Sequence, residues 1–412
     1  MAKNLPVSPL APAAFPAMPA VAGVRLAATE SGERYQGRSD LTLITVTPGT
    51  TVAGVFTRST IVGAPVTWCR ARAASGRARA VVANSGCANT AMGERGARDA
   101  ASMASHVAKA LGCSADEVFV ASTGVIGEPL PMAAIRSGIR DAGNRLEANG
   151  MRKAAEAIRT TDTFGKCASI ETVVNRKAVT LAGIAKGSGM VEPNLATMLS
   201  FLTTDVAATP AYLRGALRRV ADQTYNRVTI DGEGSTSDTV LLLANGLAGN
   251  AILRSARSPG AARFEAALLE VAEQLSRMLA RDGEGATKLV TVEVSGAKNP
   301  KQADLAARRI ANSLLVKTAL FGRDPNWGRI LQTIGAGRVE VKLPRVEVKL
   351  CGVSVFRAGS ATGGRARKRA EVGLACDDIL IEVRLGAGRS KARIWTCDLS
   401  YDYVRINAEY TT

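Results

Sequence analysis

A glycine-rich segment followed by a threonine is the first candidate for chemistry in this sequence. Residues 185–190 read Ala-Lys-Gly-Ser-Gly-Met, and Thr197 opens the apolar run at 198–202. A threonine hydroxyl is a nucleophile when a neighbouring base takes its proton. By itself a threonine at the start of a strand is ordinary, so the pattern alone favours a structural role.

Histidine and cysteine supply little chemistry in this chain. His106 is the single histidine, and it lies in an amphipathic run that predicts a helix ending at Gly112. A Ser-His-Asp or Cys-His mechanism would rest on that residue alone, and a two-histidine metal site is excluded. The seven cysteines are odd in number, widely spaced and without a Cys-x-x-Cys pair. We therefore expect free thiols in a reducing cytoplasm, with no disulfide framework and no zinc site.

Cofactor and nucleic-acid motifs are also missing. The glycine-rich stretches 186–189 and 231–234 match neither Gly-x4-Gly-Lys-Ser/Thr nor Gly-x-Gly-x-x-Gly, so no nucleotide cofactor is expected. A net charge of +17 permits nucleic-acid binding. The basic clusters at 70–79 and 365–369 lack interleaved aromatic residues. A solvated basic surface is the favoured interpretation, and we expect no nucleic-acid partner.

The length of 412 residues suits two domains, or one large domain with extensions. No apolar run is long enough to span a membrane, and no signal peptide is recognisable. Five prolines break up the first residues, so we read 1–22 as a loose arm. We expect a cytoplasmic protein.

Strand and helix patterns alternate along the chain and predict a mixed α/β fold. After residue 338 the pattern becomes rich in strands, and 360–369 reads as a basic loop. Predicted strands cover 41–46, 51–56, 80–83, 118–121, 179–184, 228–230, 289–294, 339–342, 346–350, 379–385 and 391–395. Predicted helices cover 96–111, 132–142, 210–223, 262–280 and 303–320.

Many ordered blocks of the sequence resemble the ornithine acetyltransferase (glutamate N-acetyltransferase) family of arginine biosynthesis. Two of them read Lys-Gly-Ser-Gly-Met at 186–190 and Leu-Ala-Thr-Met-Leu at 195–199. The resemblance runs from Gly23 to the C-terminus and implies a layered sandwich of helices and β-sheets. The remaining blocks are 54–57, 64–66, 84–86, 122–127, 160–163, 231–236, 284–288, 321–329, 402–404 and Asn407.

The resemblance implies that the precursor cuts itself between Ala196 and Thr197. It would leave an α chain ending at 196, with the fold from 23, and a β chain of 197–412. In this family the threonine hydroxyl attacks the preceding carbonyl, the acyl group shifts to oxygen, and water cleaves the ester. The new α-amino group of Thr197 then serves as the base, since its reference pKa of about 7.7–8.0 lies near neutrality.

The other site residues are also carried over from the resemblance. It implies an oxyanion hole at Thr123 and Gly124, on the turn expected after strand 118–121. It implies substrate contacts at Thr160, Lys186, Glu284, Asn407 and Thr412, with Lys186 facing a carboxylate and Glu284 facing the ammonium of ornithine. Thr161 or Thr163 would replace Thr160 if that block is shifted.

The implied activity is transfer of acetyl from N2-acetylornithine to L-glutamate through acetyl-Thr197, without metal or cofactor. Acetyl-CoA as a second donor stays open, and an α2β2 heterotetramer is expected. The alternative is an amidase or aminopeptidase on the same self-cleaving scaffold, with water as acceptor. Three features depart from the family pattern: Gly165 in place of proline, Ser400-Tyr401 in place of Thr-His, and the basic segment 360–369.

Overall fold

A computed structural model describes residues 5–32, 34–192 and 198–409. Ala196, Thr197 and Thr412, which the sequence predicts to be site residues, lie outside this described part.

The strands are β1 (Val24–Thr29), β2 (Leu41–Val46), β3 (Thr51–Phe56), β4 (Ala80–Cys87), β5 (Val118–Val125), β6 (Lys166–Val174), β7 (Lys177–Lys186), β8 (Leu199–Thr204), β9 (Thr239–Ala244), β10 (Leu289–Ala297), β11 (Glu347–Leu350), β12 (Val353–Arg357), β13 (Ser360–Ala361), β14 (Asp378–Arg384) and β15 (Ser390–Cys397). The helices are α1 (Ala64–Ala73), α2 (Gly93–Leu111), α3 (Met132–Asn144), α4 (Met151–Ala157), α5 (Pro210–Gln223), α6 (Ala261–Arg281), α7 (Pro300–Ala311), α8 (Leu314–Phe321), α9 (Trp327–Ala336), α10 (Gly364–Gly373) and α11 (Tyr401–Glu409).

Two sheets stacked face to face form the centre of the molecule. Their strand orders are β1-β2-β4-β5 and β3-β9-β8-β7-β6, with parallel pairing of β4 to β5 and of β8 to β9. Because side chains alternate along a strand, Ile44 and Phe201 enter the core between the sheets. Leu43 faces helices α2 and α3 on one outer side, and Leu202 faces α5 and α6 on the other. The arrangement confirms the predicted layered α/β sandwich.

A third sheet, ordered β13-β12-β11-β14-β10-β15, carries the strand-rich C-terminal part. Helices α7 and α9 cover it through a core that includes Ile310, Ile334, Val292 and Ile381. Strand β15 also reaches the core beneath α6 through Trp395. The C-terminal part is therefore packed onto the central sandwich.

Several elements match their predictions closely. Strands β2 and β3 and helix α5 have the predicted bounds, and Thr209 caps α5 by accepting the Tyr212 N–H at 3.4 Å. Helix α2 ends at Gly112, whose φ of 62° is left-handed. His106 sits on α2, where its Nδ1 lies 2.8 Å from the Ser102 carbonyl oxygen, so its ring is hydrogen-bonded within its own helix.

Four predicted elements are wrong. The helix predicted at 303–320 is two helices, because the Ser313 side chain accepts the Val316 N–H and starts α8 anew. The segment 228–230 makes only one bridge, between Val228 and Trp395, and 339–342 forms no strand. The loop predicted at 360–369 contains β13 and the start of α10, which packs on β12.

The described part of the N-terminal arm, residues 5–22, contains no helix or strand but is packed rather than loose. Leu10 and Val21 are each only 2% exposed. The Ser8 N–H donates to Thr163 Oγ1 at 2.9 Å, and the Ser8 hydroxyl donates to the Arg281 carbonyl oxygen at 2.9 Å. Apolar side chains between the prolines fix the arm, since they bury surface against the core.

Within the described ranges, no helix is both long and apolar enough to cross a membrane.

Candidate active site

The ends of strands β5 and β7 bring three predicted site residues together. Lys186, the last residue of β7, donates from Nζ to Thr160 Oγ1 at 2.8 Å and to Thr123 Oγ1 at 3.1 Å. Lys186 is 8% exposed and Thr123 is 9% exposed. Thr160 lies in the loop after α4, and Thr123 and Lys186 lie near the ends of strands in two different sheets. The stacking of the two sheets therefore brings the three residues together. The structure thus places an ammonium and two hydroxyls in one buried hydrogen-bonded set.

Gly124 occupies a position that only glycine fits. Its φ is +133°, and a Cβ there would lie 2.3 Å from the carbonyl carbon of Gly86, its partner in β4. Close approach of the two backbones therefore requires glycine. The prediction that Thr123 and Gly124 lie on a turn is wrong, because β5 continues through both to Val125. Parallel pairing with β4 extends the strand beyond the apolar run.

The next predicted residues form a second group along the segment that follows β7. The hydroxyls of Ser188 and Thr161 are hydrogen-bonded at 2.7 Å, and the Ser188 carbonyl oxygen accepts the Glu284 N–H at 2.8 Å. Asn407 on α11 donates to Glu284 Oε2 at 2.8 Å. Burial raises the pKa of Glu284, while hydrogen bonds from Thr161 and Asn407 oppose that rise. A carboxyl group is thus held beside the glycine-rich segment.

The threonines of the 160–163 block have separate contacts. Thr160 accepts from Lys186, and Thr161 bonds to Ser188. The Thr163 hydroxyl donates to Asp282 Oδ1 at 2.5 Å. Of the three threonines that the sequence left open, Thr160 is the one that contacts Lys186.

A buried cluster of charges lies behind Lys186 and was missed by sequence reasoning. Lys166 Nζ donates to Asp162 Oδ1 at 2.7 Å and to Asp282 Oδ2 at 2.5 Å, and all three side chains are fully buried. Asp162 Oδ2 lies 3.9 Å from Lys186 Nζ. Burial lowers the pKa of Lys186, and the Asp162 charge opposes that effect. Asp162 was visible in the 160–163 block, but its pairing with Lys166 and Asp282 depends on the tertiary fold.

Carboxylates also accept hydrogen bonds from the backbone just before and just after residues 193–197, which lie outside the described part of the chain. Asp231 accepts the Met190 N–H at 2.5 Å and the Val191 N–H at 2.8 Å. Asp238 Oδ1 accepts the Met198 N–H at 2.8 Å. Burial raises the pKa of Asp238 well above its usual range, opposed by the Thr57 hydroxyl, the Met198 N–H and the Lys186 charge. The block at 231–236 was noted in the sequence, but nothing there indicated these contacts.

Two departures from the family pattern have a structural explanation. The Gly165 N–H donates to Glu156 Oε1 at 2.9 Å, a bond that proline would lack for want of an N–H. The Ser400 hydroxyl donates to the Gly285 carbonyl oxygen at 2.6 Å, which fixes the turn next to Glu284.

Across 5–32, 34–192 and 198–409, no group of three or more His, Cys, Asp or Glu side chains is arranged to hold a metal ion.

Comparisons with known proteins agree on one family. The ArgJ family model matches residues 25–412. The arginine biosynthesis bifunctional protein ArgJ of Bradyrhizobium diazoefficiens is 44% identical over 407 residues, covering 98% of each chain. The protein of the same name from Ruegeria pomeroyi is 43% identical over 412 residues, covering 100% of each.

A solved structure is similar to one half of the chain. The crystal structure of the arginine biosynthesis bifunctional protein ArgJ from Bacillus halodurans has 43% sequence identity and a TM-score of 0.50. It covers 52% of this chain and 100% of that chain. With the family model spanning nearly the full length and relatives above 40% identity, the chain belongs to the ArgJ family.

Proposed function

We propose that this chain is an acetyltransferase of arginine biosynthesis that moves an acetyl group from N2-acetylornithine to L-glutamate. Its relatives carry the name arginine biosynthesis bifunctional protein. The observation that carries the proposal is the Lys186 ammonium, hydrogen-bonded to the Thr123 and Thr160 hydroxyls next to Gly124. An ammonium in this position suits a substrate carboxylate, and both substrates have one.

Thr197 is the proposed nucleophile, after cleavage of the Ala196–Thr197 bond. The described chain resumes at Met198, whose N–H is held by Asp238 and whose neighbour Leu199 pairs with Lys186. A cut before 197 leaves a second chain of a little over half of the 412 residues. The half-length match to the crystal structure from Bacillus halodurans supports such a cut.

The reaction then runs in two balanced steps. Thr197 Oγ attacks the acetyl carbonyl carbon of N2-acetylornithine, while the Thr197 α-amino group takes the hydroxyl proton. Thr123 Oγ1 and the Gly124 N–H stabilise the oxyanion, each such donor contributing about 2.7–4 kcal/mol. The proton passes to the leaving nitrogen, and ornithine departs. The amine of glutamate attacks the acetyl ester in the same way, giving N-acetylglutamate and free Thr197.

Charge selects the substrates in this proposal. Lys186 pairs with the carboxylate common to acetylornithine and glutamate, and Thr160 orients that ammonium. Glu284, held by Asn407, faces the side-chain ammonium of ornithine. Thr412 is proposed as a further contact at the C-terminus. The word bifunctional in the relatives' names supports acetyl-CoA as a second acetyl donor. We further propose that the enzyme is cytoplasmic and needs no metal or cofactor. Its two chains are proposed to form an α2β2 heterotetramer.

Mass spectrometry of the purified protein, together with an acetyl-transfer assay, tests the proposal. Two fragments of nearly equal mass should replace the 42.9 kDa chain, and Thr197→Ala should stay uncut and inactive. Ornithine release from N2-acetylornithine should depend on glutamate. Release at the same rate without glutamate would instead support the amidase alternative, with water as acceptor.

A further inference from the structure

The buried Asp162 carboxylate accepts three hydrogen bonds and also faces a second ammonium group. Oδ1 accepts from Lys166 Nζ at 2.7 Å and from the Gly187 N–H at 2.6 Å. Oδ2 accepts from the Thr160 N–H at 3.1 Å and faces Lys186 Nζ at 3.9 Å. The carboxylate is thus surrounded on both oxygens, and a neutral amide would turn its NH2 group against donors.

These contacts converge on one side chain. Gly187 follows Lys186 in the chain, and Thr160 supplies the hydroxyl that accepts from the Lys186 ammonium. One carboxylate therefore fixes the backbone of Gly187, which follows Lys186, and of Thr160, which accepts from Lys186, and it also supplies a nearby negative charge. Asp162 therefore does more than form an ion pair with Lys166, because it also contacts the surroundings of Lys186.

The charges around Lys186 show why that negative charge matters. Lys186 is affected by Asp162, Lys166, Glu284 and Asp238. Burial, which disfavours the ammonium, lowers the pKa of Lys186, and among these groups Asp162 opposes the fall most strongly. Lys166 adds to the fall by repulsion. With Asp282 paired to Lys166, two ammonium groups and two carboxylates make up a buried set that is balanced in charge.

We propose that Asp162 is a positioning residue for acetyl transfer, which keeps the Lys186 ammonium charged and directed at the substrate carboxylate. The proposal rests on the function proposed above, in which Lys186 binds that carboxylate. The pair of Lys166 and Asp282 holds Asp162 from behind. Lys186 is then a binding group whose charge is set by a residue that does not touch substrate.

Asp162→Asn is the first test. Loss of the carboxylate lowers the pKa of Lys186 further, so the ammonium is lost at a lower pH. The alkaline limb of kcat/KM should move to lower pH, while the acidic limb, set by the Thr197 amino group, should stay in place. KM for glutamate and for N2-acetylornithine should rise by about ten-fold or more, because a charged hydrogen bond to each carboxylate is weakened.

Asp282→Asn is the matched control, since Asp282 is equally buried and also bonds Lys166 but has no hydrogen bond or ion pair with Lys186. Its KM values should change less than those of Asp162→Asn. A Lys186→Met background should abolish most of the effect of Asp162→Asn on KM, because the two residues act through one interaction. Equal, additive losses in both backgrounds would mean that Asp162 is only structural.

If Asp162→Asn does not fold, Asp162→Glu carries the test. It keeps the charge but lengthens the side chain, so the alkaline limb should stay in place while KM rises several-fold. An Asp162→Glu enzyme with unchanged KM, or an Asp162→Asn enzyme with an unchanged alkaline limb, would overturn the proposal. A wild-type enzyme that releases acetyl without glutamate would instead overturn the proposed function, so the two failures are distinguishable.

Discussion

Replacing Gly124 with alanine perturbs the point where β4 and β5 come closest. The added Cβ would lie 2.3 Å from the carbonyl carbon of Gly86, 2.4 Å from its oxygen and 2.7 Å from the Cys87 nitrogen. All three atoms belong to backbone, so no side chain can move aside. The φ of +133° is also strained for alanine. The two strands must separate locally for the substitution to be accommodated.

The expected cost has a stability part and an activity part. Backbone strain costs about 1–3 kcal/mol and overpacking about 1–3 kcal/mol more, out of a typical total stability of about 5–15 kcal/mol. Displacing the Gly124 N–H would remove the proposed oxyanion donor, and we expect kcat to fall by about 100- to 1000-fold. A folded but destabilised enzyme with little acetyl transfer is the predicted result.

Gly127→Ala is the matched control for this substitution. Gly127 lies two residues beyond β5 and has a φ of +82°, but a Cβ there meets no atom within 4 Å. The Gly127→Ala enzyme should therefore have backbone strain without a steric clash. Urea unfolding and the initial rate of acetyl transfer should be measured for both variants. A Gly124→Ala enzyme with the stability and kcat of Gly127→Ala would refute the close-packing and oxyanion reasoning together.

Three further predictions test other contacts, the last of them with a control substitution. Lys186→Met should raise KM for glutamate and N2-acetylornithine by at least about ten-fold, since both lose a charged contact worth about 1.5–3 kcal/mol; steady-state kinetics with each substrate varied would show it. Glu284→Gln should raise KM for N2-acetylornithine more than KM for glutamate, because only the former has a side-chain ammonium; equal increases would contradict the assignment. Leu10→Ala should lower the free energy of unfolding by about 2–3 kcal/mol through lost burial, whereas Val7→Ala, at a side chain 62% exposed, should have almost no effect in the same denaturation experiment. Equal effects from the two arm variants would mean that the arm does not stabilise the fold through Leu10.

Periodicity and capping residues predicted much of the framework. Clusters of β-branched and apolar residues between turn signals located β2 and β3, and the Thr209-Pro210 pair located the start of α5. The same reasoning failed where tertiary contacts decide the outcome. Strand β5 runs through Thr123 and Gly124 because β4 pairs with it, and the Ser313 cap divides one long apolar pattern into two helices. Neither feature is encoded by local hydrophobicity.

The site was predicted unevenly for a related reason. Lys186, Thr123 and Thr160 were carried over by resemblance, and the fold joins them by hydrogen bonds. Lys166 and Asp282 are 116 residues apart in sequence and were missed. A buried ion pair has no sequence signal, since an isolated lysine or aspartate in a polar stretch reads as a solvated surface group. Only the three-dimensional fold shows that these charges balance each other behind Lys186.

The proposal that Thr197 carries the acetyl group is tested most directly by trapping the acetyl-enzyme. Purified protein would be mixed with N2-acetylornithine labelled in the acetyl group, without glutamate, and quenched in acid. Mass spectrometry should find one labelled acetyl group on a fragment whose first residue is Thr197, and adding glutamate before the quench should remove it. Label on another residue, or rapid transfer by a chain still intact between Ala196 and Thr197, would contradict the account.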